Sequence, residues 1–190
     1  MARIDIFFAS RDGQTRKIAR VLGDALGQGG AGDVAMIDLS GDMRAAEGDK
    51  VQVGRADFTV VVAPIRYGFP LPEADRFLRR HLHDIPPDRL AILLVCLLAR
   101  KPDRQSAETN GYLRRWLRRR HAAPALAAAI AGKLNYPAYR WYDRWMMRLI
   151  LKMSGGPTDP AAVVEYTDWE QVAEIAERIW TLCGKSACEK

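Results

Sequence analysis

Apolar residues gather in five short runs: Ile4–Ala9, Val34–Leu39, Phe58–Ile65, Leu90–Leu98 and Ala125–Ala131. The third and fourth, "FTVVVAPI" and "LAILLVCLL", are almost unbroken, as strands covered on both faces are. Between the runs the apolar spacing lengthens to that of helices. Ile18, Val21, Leu22, Ala25 and Leu26 form one stripe, Ala74, Phe77, Leu78 and Leu82 a second, Leu113, Trp116 and Leu117 a third. A last stripe is Trp169, Val172, Ala173, Ala176, Ile179, Trp180 and Cys183. It opens with "TDWE", which predicts Thr167 as cap and Glu170 reaching back to it. The stretch between the second and third runs has a weak helix signal, and "GGAG" at 29–32 is a turn.

Strands alternating with helices predict a parallel sheet with right-handed crossovers. Five strands in 190 residues fit one α/β domain over 1–190, a doubly wound parallel sheet of order 2-1-3-4-5. Such sheets bind ligands beyond the carboxyl ends of their strands, which draws attention to the loops after the first, third and fourth.

With 48% hydrophobic and 27% charged residues, the chain reads as globular and not disordered. It has no run of 18 apolar residues and no signal-peptide pattern at "MARIDIFFAS", so a cytoplasmic setting, or a membrane face reached from it, is expected. The three cysteines, Cys96, Cys183 and Cys188, show no ligand spacing, and Cys96 reads as a small core residue. His81 and His83 would point two ways on a helix, so no metal is expected. The net charge of +6 is uneven. Residues 100–152 hold 13 Lys and Arg against 3 Asp and Glu, a net of +10, while the rest nets −4. That polarity suggests an anionic partner: a membrane surface, a nucleic acid or an acidic small molecule.

The first loop, Ser10-Arg11-Asp12-Gly13-Gln14-Thr15, joins a strand to a helix. First-turn N–H groups lack partners inside the helix and the dipole is positive there, so the loop suits an anion. Ser10 and Thr15 add hydroxyls, and Gly13 permits positive φ or close approach. Neither a Walker ending nor GxGxxG is present. An ordinary capping turn would look alike. The second loop, Pro64-Ile65-Arg66-Tyr67-Gly68, offers a ring and a cation where a planar group would sit. The third, "LLARKPDRQSAETNGY", is long and basic.

Together the three loops resemble the flavodoxin-like FMN-binding family. "FASRDGQT" (8–15), "IRYG" (65–68), "ARKP" (99–102), "YPAYRWYDR" (136–144), "KMSGG" (152–156) and "YTDWEQV" (166–172) resemble, more closely, the menaquinone-dependent protoporphyrinogen oxidases of the HemG type. The resemblance implies an FMN enzyme of haem synthesis. It would take six electrons from protoporphyrinogen IX in three two-electron steps and pass them to menaquinone or ubiquinone. It implies peripheral attachment to the cytoplasmic face of the cell inner membrane. Ser10–Thr15 would hold the FMN phosphate, and Pro64–Gly68 with Leu98, Ala99, Arg100 and Lys101 would flank the ring. Arg66, Tyr67, Arg100 and Lys101 are candidates to steer propionates or stabilise reduced flavin; the catalytic residues themselves stay unknown. Asp12 stands where the family has a hydroxyl residue. A carboxylate against a phosphate would repel it. Asp12 is therefore expected to turn away and accept from the backbone or Arg11.

Residues 132–156 would be the family's insertion. Read as a helix, Arg140, Arg144, Arg148 and Lys152 make a basic stripe, with Tyr142, Trp145, Met146, Leu149, Ile150 and Met153 opposite and Trp141 at the boundary. With Tyr139, this composition suits a membrane interface or a tetrapyrrole with its two propionates. A helix packed on the body is the plainer alternative. An NAD(P)H:quinone reductase or an electron-transfer flavodoxin shares the fold, although such carriers are typically acidic and the pI here is 9.4. The arginines of 113–121 have one interleaved Trp and no recognised motif, so no nucleic acid is expected. Whether the chain forms a homo-oligomer is left open.

Overall fold

The computed structural model describes residues 2–29, 33–41, 53–135 and 163–188. Five strands form the central sheet: β1 (Arg3–Phe8), β2 (Asp33–Asp38), β3 (Phe58–Arg66), β5 (Leu90–Val95) and β6 (Leu126–Ile130). Their order is β2-β1-β3-β5-β6, all parallel, with Ile4 paired to Val34 on one side and to Phe58 on the other. The predicted switch point therefore lies between β1 and β3. A two-residue strand, β4 (Phe69–Pro70), folds back antiparallel on β3. Beyond the sheet, β7 (Lys133–Asn135) and β8 (Val163–Glu165) form a separate antiparallel pair.

Among the described residues, four helices cover the sheet: α1 (Gln14–Gln28), α2 (Pro72–His81), α3 (Gly111–Arg120) and α4 (Trp169–Cys188). Because strand side chains alternate in direction, the continuous apolar runs split into two cores. Ile4, Ile6, Val60, Val62, Leu93 and Ile130 pack under Ile18, Leu22, Val172 and Ile179 of α1 and α4. Phe7, Val61, Ala63, Ile92 and Leu94 pack under Phe77, Leu78, Leu113 and Trp116 of α2 and α3. Phe7 stacks on Phe77 with centroids 4.3 Å apart.

Several expectations need correction. The fourth run does not stay a strand to Leu98. Pairing stops at Val95, and Leu97–Arg100 is a 3-10 turn with Ala99 N–H on the Cys96 carbonyl. The turn is apolar because Ala99 is fully buried, so composition alone reads it as strand. In α4, Ala173 is exposed and Ile175 takes its place in the core. Thr167 does not cap that helix. Asp168 accepts from the Glu170 and Gln171 N–H groups at 3.0 and 3.2 Å, and the Thr167 hydroxyl donates instead to the Ala131 carbonyl at 2.8 Å. His81 and His83 do not diverge. A 3-10 turn follows α2, and both rings approach Asp84, at 3.3 and 3.2 Å. The weak helix signal after β2 falls largely on residues 42–52, outside the described residues, as do Tyr139, Arg140, Trp141, Arg144, Trp145, Arg148 and Lys152.

Candidate functional site

The carboxyl ends of β1, β3 and β5 open into a cleft of about 330 Å³. Its first wall is the start of α1. Gly13 sits at the N-cap with φ +81, a left-handed conformation that explains the glycine. An added Cβ there would meet nothing within 4 Å, so the space above the turn is open. Gly13, the N-cap residue, has no side chain to cap α1, and no acid lies in the first turn. The capped helices differ: Asn110 accepts from the Tyr112 and Leu113 N–H groups of α3, as Asp168 does for α4. The start of α1 thus keeps donors and a positive dipole end beside the cleft.

A scaffold behind the loop holds this turn. Ser10 N–H donates to Ser40 Oγ at 2.9 Å, and that hydroxyl donates back to the Ser10 carbonyl at 3.1 Å. Arg16 N–H lies 3.4 Å from Ser10 Oγ. The Arg16 guanidinium pairs with Asp38, whose other oxygen accepts from Ser40 N–H at 2.9 Å. Burial works to raise the Asp38 carboxyl, but the Arg16 and Ser40 hydrogen bonds outweigh it and hold it below its ordinary range. On the other side, Gln14 Nε2 donates to Thr167 Oγ1 at 2.9 Å and Glu165 at 3.2 Å. Lys17 Nζ donates to Glu165 at 2.9 Å and lies 4.7 Å over the Trp169 ring. The Lys17 hydrogen bond holds the Glu165 carboxyl below its ordinary range.

The second wall is a hairpin. Arg66 pairs with Phe69, leaving Tyr67 and Gly68 as a two-residue turn with φ +54 and +81. Both central residues have positive φ, as a type I′ hairpin requires. The turn is natural for Gly68 and strained for Tyr67, whose side chain is nonetheless 48% exposed beside the cleft. The Arg66 guanidinium lies 5.5 Å from the Tyr67 ring, and its Nη1 is 3.9 Å from Asp12 Oδ2. Asp12 therefore does not turn away to Arg11: it lines the cleft and lies nearest Arg66. Arg11 is engaged elsewhere, donating to Glu73 at 2.8 Å.

The third wall is Val95, Cys96 and Leu97, with Gly132 and Lys133 at the end of β6. A Cβ on Gly132 would come 3.1 Å from Val95 Cγ1, so a side chain there would require Val95 to shift by a few tenths of an ångström. Cys96 is buried, which pushes its thiol up, and Asn110 Nδ2 points at its sulfur from 3.4 Å. Ile65 and Leu71 add apolar surface opposite. The cleft so combines an open helix start, cations from Arg11, Lys17, Arg66 and Lys133, and apolar flanks. That set fits a planar ring with an anionic tail.

The flavodoxin domain model matches residues 5–161. The chain is 41% identical over 181 residues to the protoporphyrinogen IX dehydrogenase (quinone) of Escherichia coli strain K12, covering 95% of this chain and 96% of that protein. The chain belongs to the flavodoxin-fold family of protoporphyrinogen IX dehydrogenases. It is 28% identical to the Leishmania major protein of the same name, over 90% of this chain and 71% of that one. A short-chain flavodoxin associated with a non-canonical PDU bacterial microcompartment superposes with a TM-score of 0.52 at 12% identity, covering 96% of this chain and 99% of that structure.

In this flavodoxin-family cleft, Arg11, Asp12, Gly13, Gln14 and Thr15 of the first loop come together with Pro64, Ile65, Arg66 and Tyr67 of the second. Ser10 lies behind the turn, and Gly68 faces a neighbouring groove. Leu98, Ala99, Arg100 and Lys101 do not line the cleft; the chain turns away at Leu97, and Arg100 Nη1 donates to the Leu97 carbonyl at 3.2 Å. Sequence reasoning missed Lys17, Leu71, Val95, Cys96, Leu97, Gly132 and Lys133 as lining residues. A signal existed for some. Lys17 is one turn beyond Gly13 on α1, and Gly132-Lys133 directly follows the fifth strand, where sheets of this type place ligands.

Proposed function

We propose that this protein is an FMN-dependent protoporphyrinogen IX dehydrogenase that delivers electrons to a quinone. The observation that carries the reading is the near full-length likeness to dehydrogenases of that name. The cleft supports it with a donor-rich helix start and apolar flanks. When bound, FMN supplies two-electron chemistry, taking a hydride equivalent and returning electrons to a quinone.

The chain's own residues do the rest. The first-turn N–H groups of α1, with Thr15, would hold the phosphate. Arg11 and Lys17 add positive potential beside it. Ile65, Leu71, Val95 and Leu97 would give the ring an apolar site that excludes water, and the exposed Tyr67 would add an aromatic wall. No imidazole lines the cleft among the described residues, and the Cys96 thiol stays protonated. Arg66 and Tyr67 remain the cleft's candidates for contacting the reacting ring, while Arg100 and Lys101 stand off it. Porphyrinogen and quinone, either menaquinone or ubiquinone, use one exposed edge in turn, giving ping-pong kinetics.

The protein works as a peripheral protein on the cytoplasmic face of the inner membrane. The support is the Trp- and Arg-rich pattern of 139–152, which suits a lipid interface. No helix among the described residues is long and apolar enough to cross a membrane.

The deciding experiment is purification in detergent followed by an absorption spectrum. The expected protein is yellow, releases FMN, and oxidises protoporphyrinogen anaerobically with a menaquinone analogue. A colourless protein that cannot be loaded with FMN overturns the reading, and a sequential pattern with a ternary complex overturns the shared edge.

A further inference from the structure

Among the described helices, the one with the most arginines lies outside the cleft. α3 carries Arg114, Arg115, Arg118, Arg119 and Arg120, and none of its residues lines the cleft. Some of these arginines serve the fold. Arg120 Nε stands 3.0 Å from Asp75 Oδ1, which also accepts from Trp116 Nε1 at 2.9 Å. Arg114 donates to the Glu108 carbonyl at 3.2 Å. Arg115 and Arg119, one helical turn apart, are exposed and meet no carboxylate among the described residues.

These two arginines face a groove of about 230 Å³ between β4 and α3. Phe69 and Tyr112 give it aromatic walls, and its one acid, Asp75, is already shared by Trp116 and Arg120. Phe69 is 50% exposed, and the Arg119 guanidinium lies 5.4 Å over its ring. An aromatic residue left half in water and covered by a cation is a surface shaped for a ligand with apolar and anionic parts. Groove and cleft adjoin. Tyr67 lines one and Gly68 the other, and they are the two central residues of a single hairpin turn.

We propose that this groove is the subsite for the propionate carboxylates of the tetrapyrrole substrate. The inference rests on the function proposed above. Arg115 and Arg119 offer planar forks that match carboxylates, and Phe69 offers a flat apolar face to the edge of the macrocycle. A tetrapyrrole anchored there extends across the Tyr67–Gly68 turn to the mouth of the cleft. The substrate's charge is read on α3, and its ring is presented where electrons leave it.

The test uses the FMN-loaded full chain and the double variant Arg115→Ala, Arg119→Ala, with Arg115→Gln, Arg119→Gln as a second form should the first fold poorly. Protoporphyrinogen IX is compared with its dimethyl ester, whose carboxylates are masked. The expected result is a KM for protoporphyrinogen raised by about tenfold in the variants, with kcat and FMN content unchanged. The ester gives the same KM in variant and wild type. Binding of protoporphyrin IX, followed by quenching of tryptophan fluorescence, weakens by the same factor. Unchanged KM and unchanged protoporphyrin affinity overturn the subsite. Unchanged KM with lost binding to phosphatidylglycerol vesicles also overturns it and assigns the arginines to a lipid surface. A wild-type protein that loads FMN yet leaves protoporphyrinogen untouched overturns the function itself, and is told apart because it needs no variant.

Discussion

The Asp12 carboxylate and the Arg66 guanidinium face each other at 3.9 Å across the cleft, joining its first two walls. Both side chains are partly exposed, so the pair itself contributes about 0–1 kcal/mol. Its larger effect is on the ligand. Asp12 offsets the cation that an anionic cofactor would meet. Asp12→Ala should therefore bind FMN about threefold more tightly at low salt, an advantage that fades as salt is added. Arg66→Ala should bind it more weakly. FMN fluorescence titrations at two ionic strengths check both, and weaker binding in Asp12→Ala would restore the view that its carboxylate chiefly stiffens the turn.

The hairpin tip sets stability against function. Tyr67 occupies a positive φ that a bulky side chain disfavours, while Gly68 occupies one that only glycine adopts freely. Gly68→Ala should lower stability by about 1 kcal/mol. Tyr67→Asn should raise stability by a few tenths to about 1 kcal/mol, since asparagine tolerates this conformation, yet release FMN faster because the covering ring is gone. Thermal melts of the apoprotein and FMN dissociation rates give the two readouts. A Tyr67→Asn protein that is less stable than wild type would mean the ring packs more than its exposure suggests.

Acid sensitivity divides between Asp38 and Glu165, which brace the start of α1, and Asp5 inside β1. Asp38 and Glu165 titrate below their ordinary values of 3.8 and 4.5 in the folded chain. Their contribution is full above those values and is lost as pH falls through the lower folded ones. Asp5 is the reverse. It is buried on β1, and desolvation raises it despite the 3.0 Å hydrogen bond from Arg3. Its contribution is full below 3.8 and is lost as pH rises through its folded value. Asp38→Asn should flatten the loss of stability below pH 3.8, and Asp5→Asn should remove the loss above it. Urea melts across the acid range decide this; an Asp5→Asn curve parallel to wild type there would contradict the assignment.

Much of this was readable in the chain, and the gaps have physical causes. The sheet order followed from apolar runs set between helical stripes, because two-sided burial leaves Thr59 as the single polar residue in Phe58–Ala63. The anion loop was readable because a strand, a polar turn and a helix with Gly13 at its N-cap make a local arrangement. The third wall was not. Leu97, Leu98 and Ala99 are as apolar as the strand before them, so nothing in composition marks where pairing ends and Cys96 turns from core to cleft. Lys17 sits in α1 beside its apolar stripe and reads as a solvated helix residue, and its place at the cleft depends on Glu165, which lies far along the chain. Arg11 and Arg66 compete for acids, and the choice of Glu73 for Arg11 is made by the packing of α2.

Thr167 and Asp168 stand side by side and carry separable duties. Asp168 caps α4, so Asp168→Ala should cost about 1 kcal/mol of stability and leave FMN affinity unchanged. Thr167 is buried and ties the Ala131 carbonyl, at the end of β6, to Gln14 at the start of α1. Thr167→Val keeps the shape but removes both bonds and strands a buried carbonyl. It should cost about 1–3 kcal/mol. It should also weaken FMN binding, because Gln14 then loses one of the anchors that fix the first turn of α1 against the cleft. Chemical denaturation and FMN titration of the two variants separate cap from anchor. Equal FMN affinity in Thr167→Val and wild type would show that Glu165 alone holds Gln14 in place.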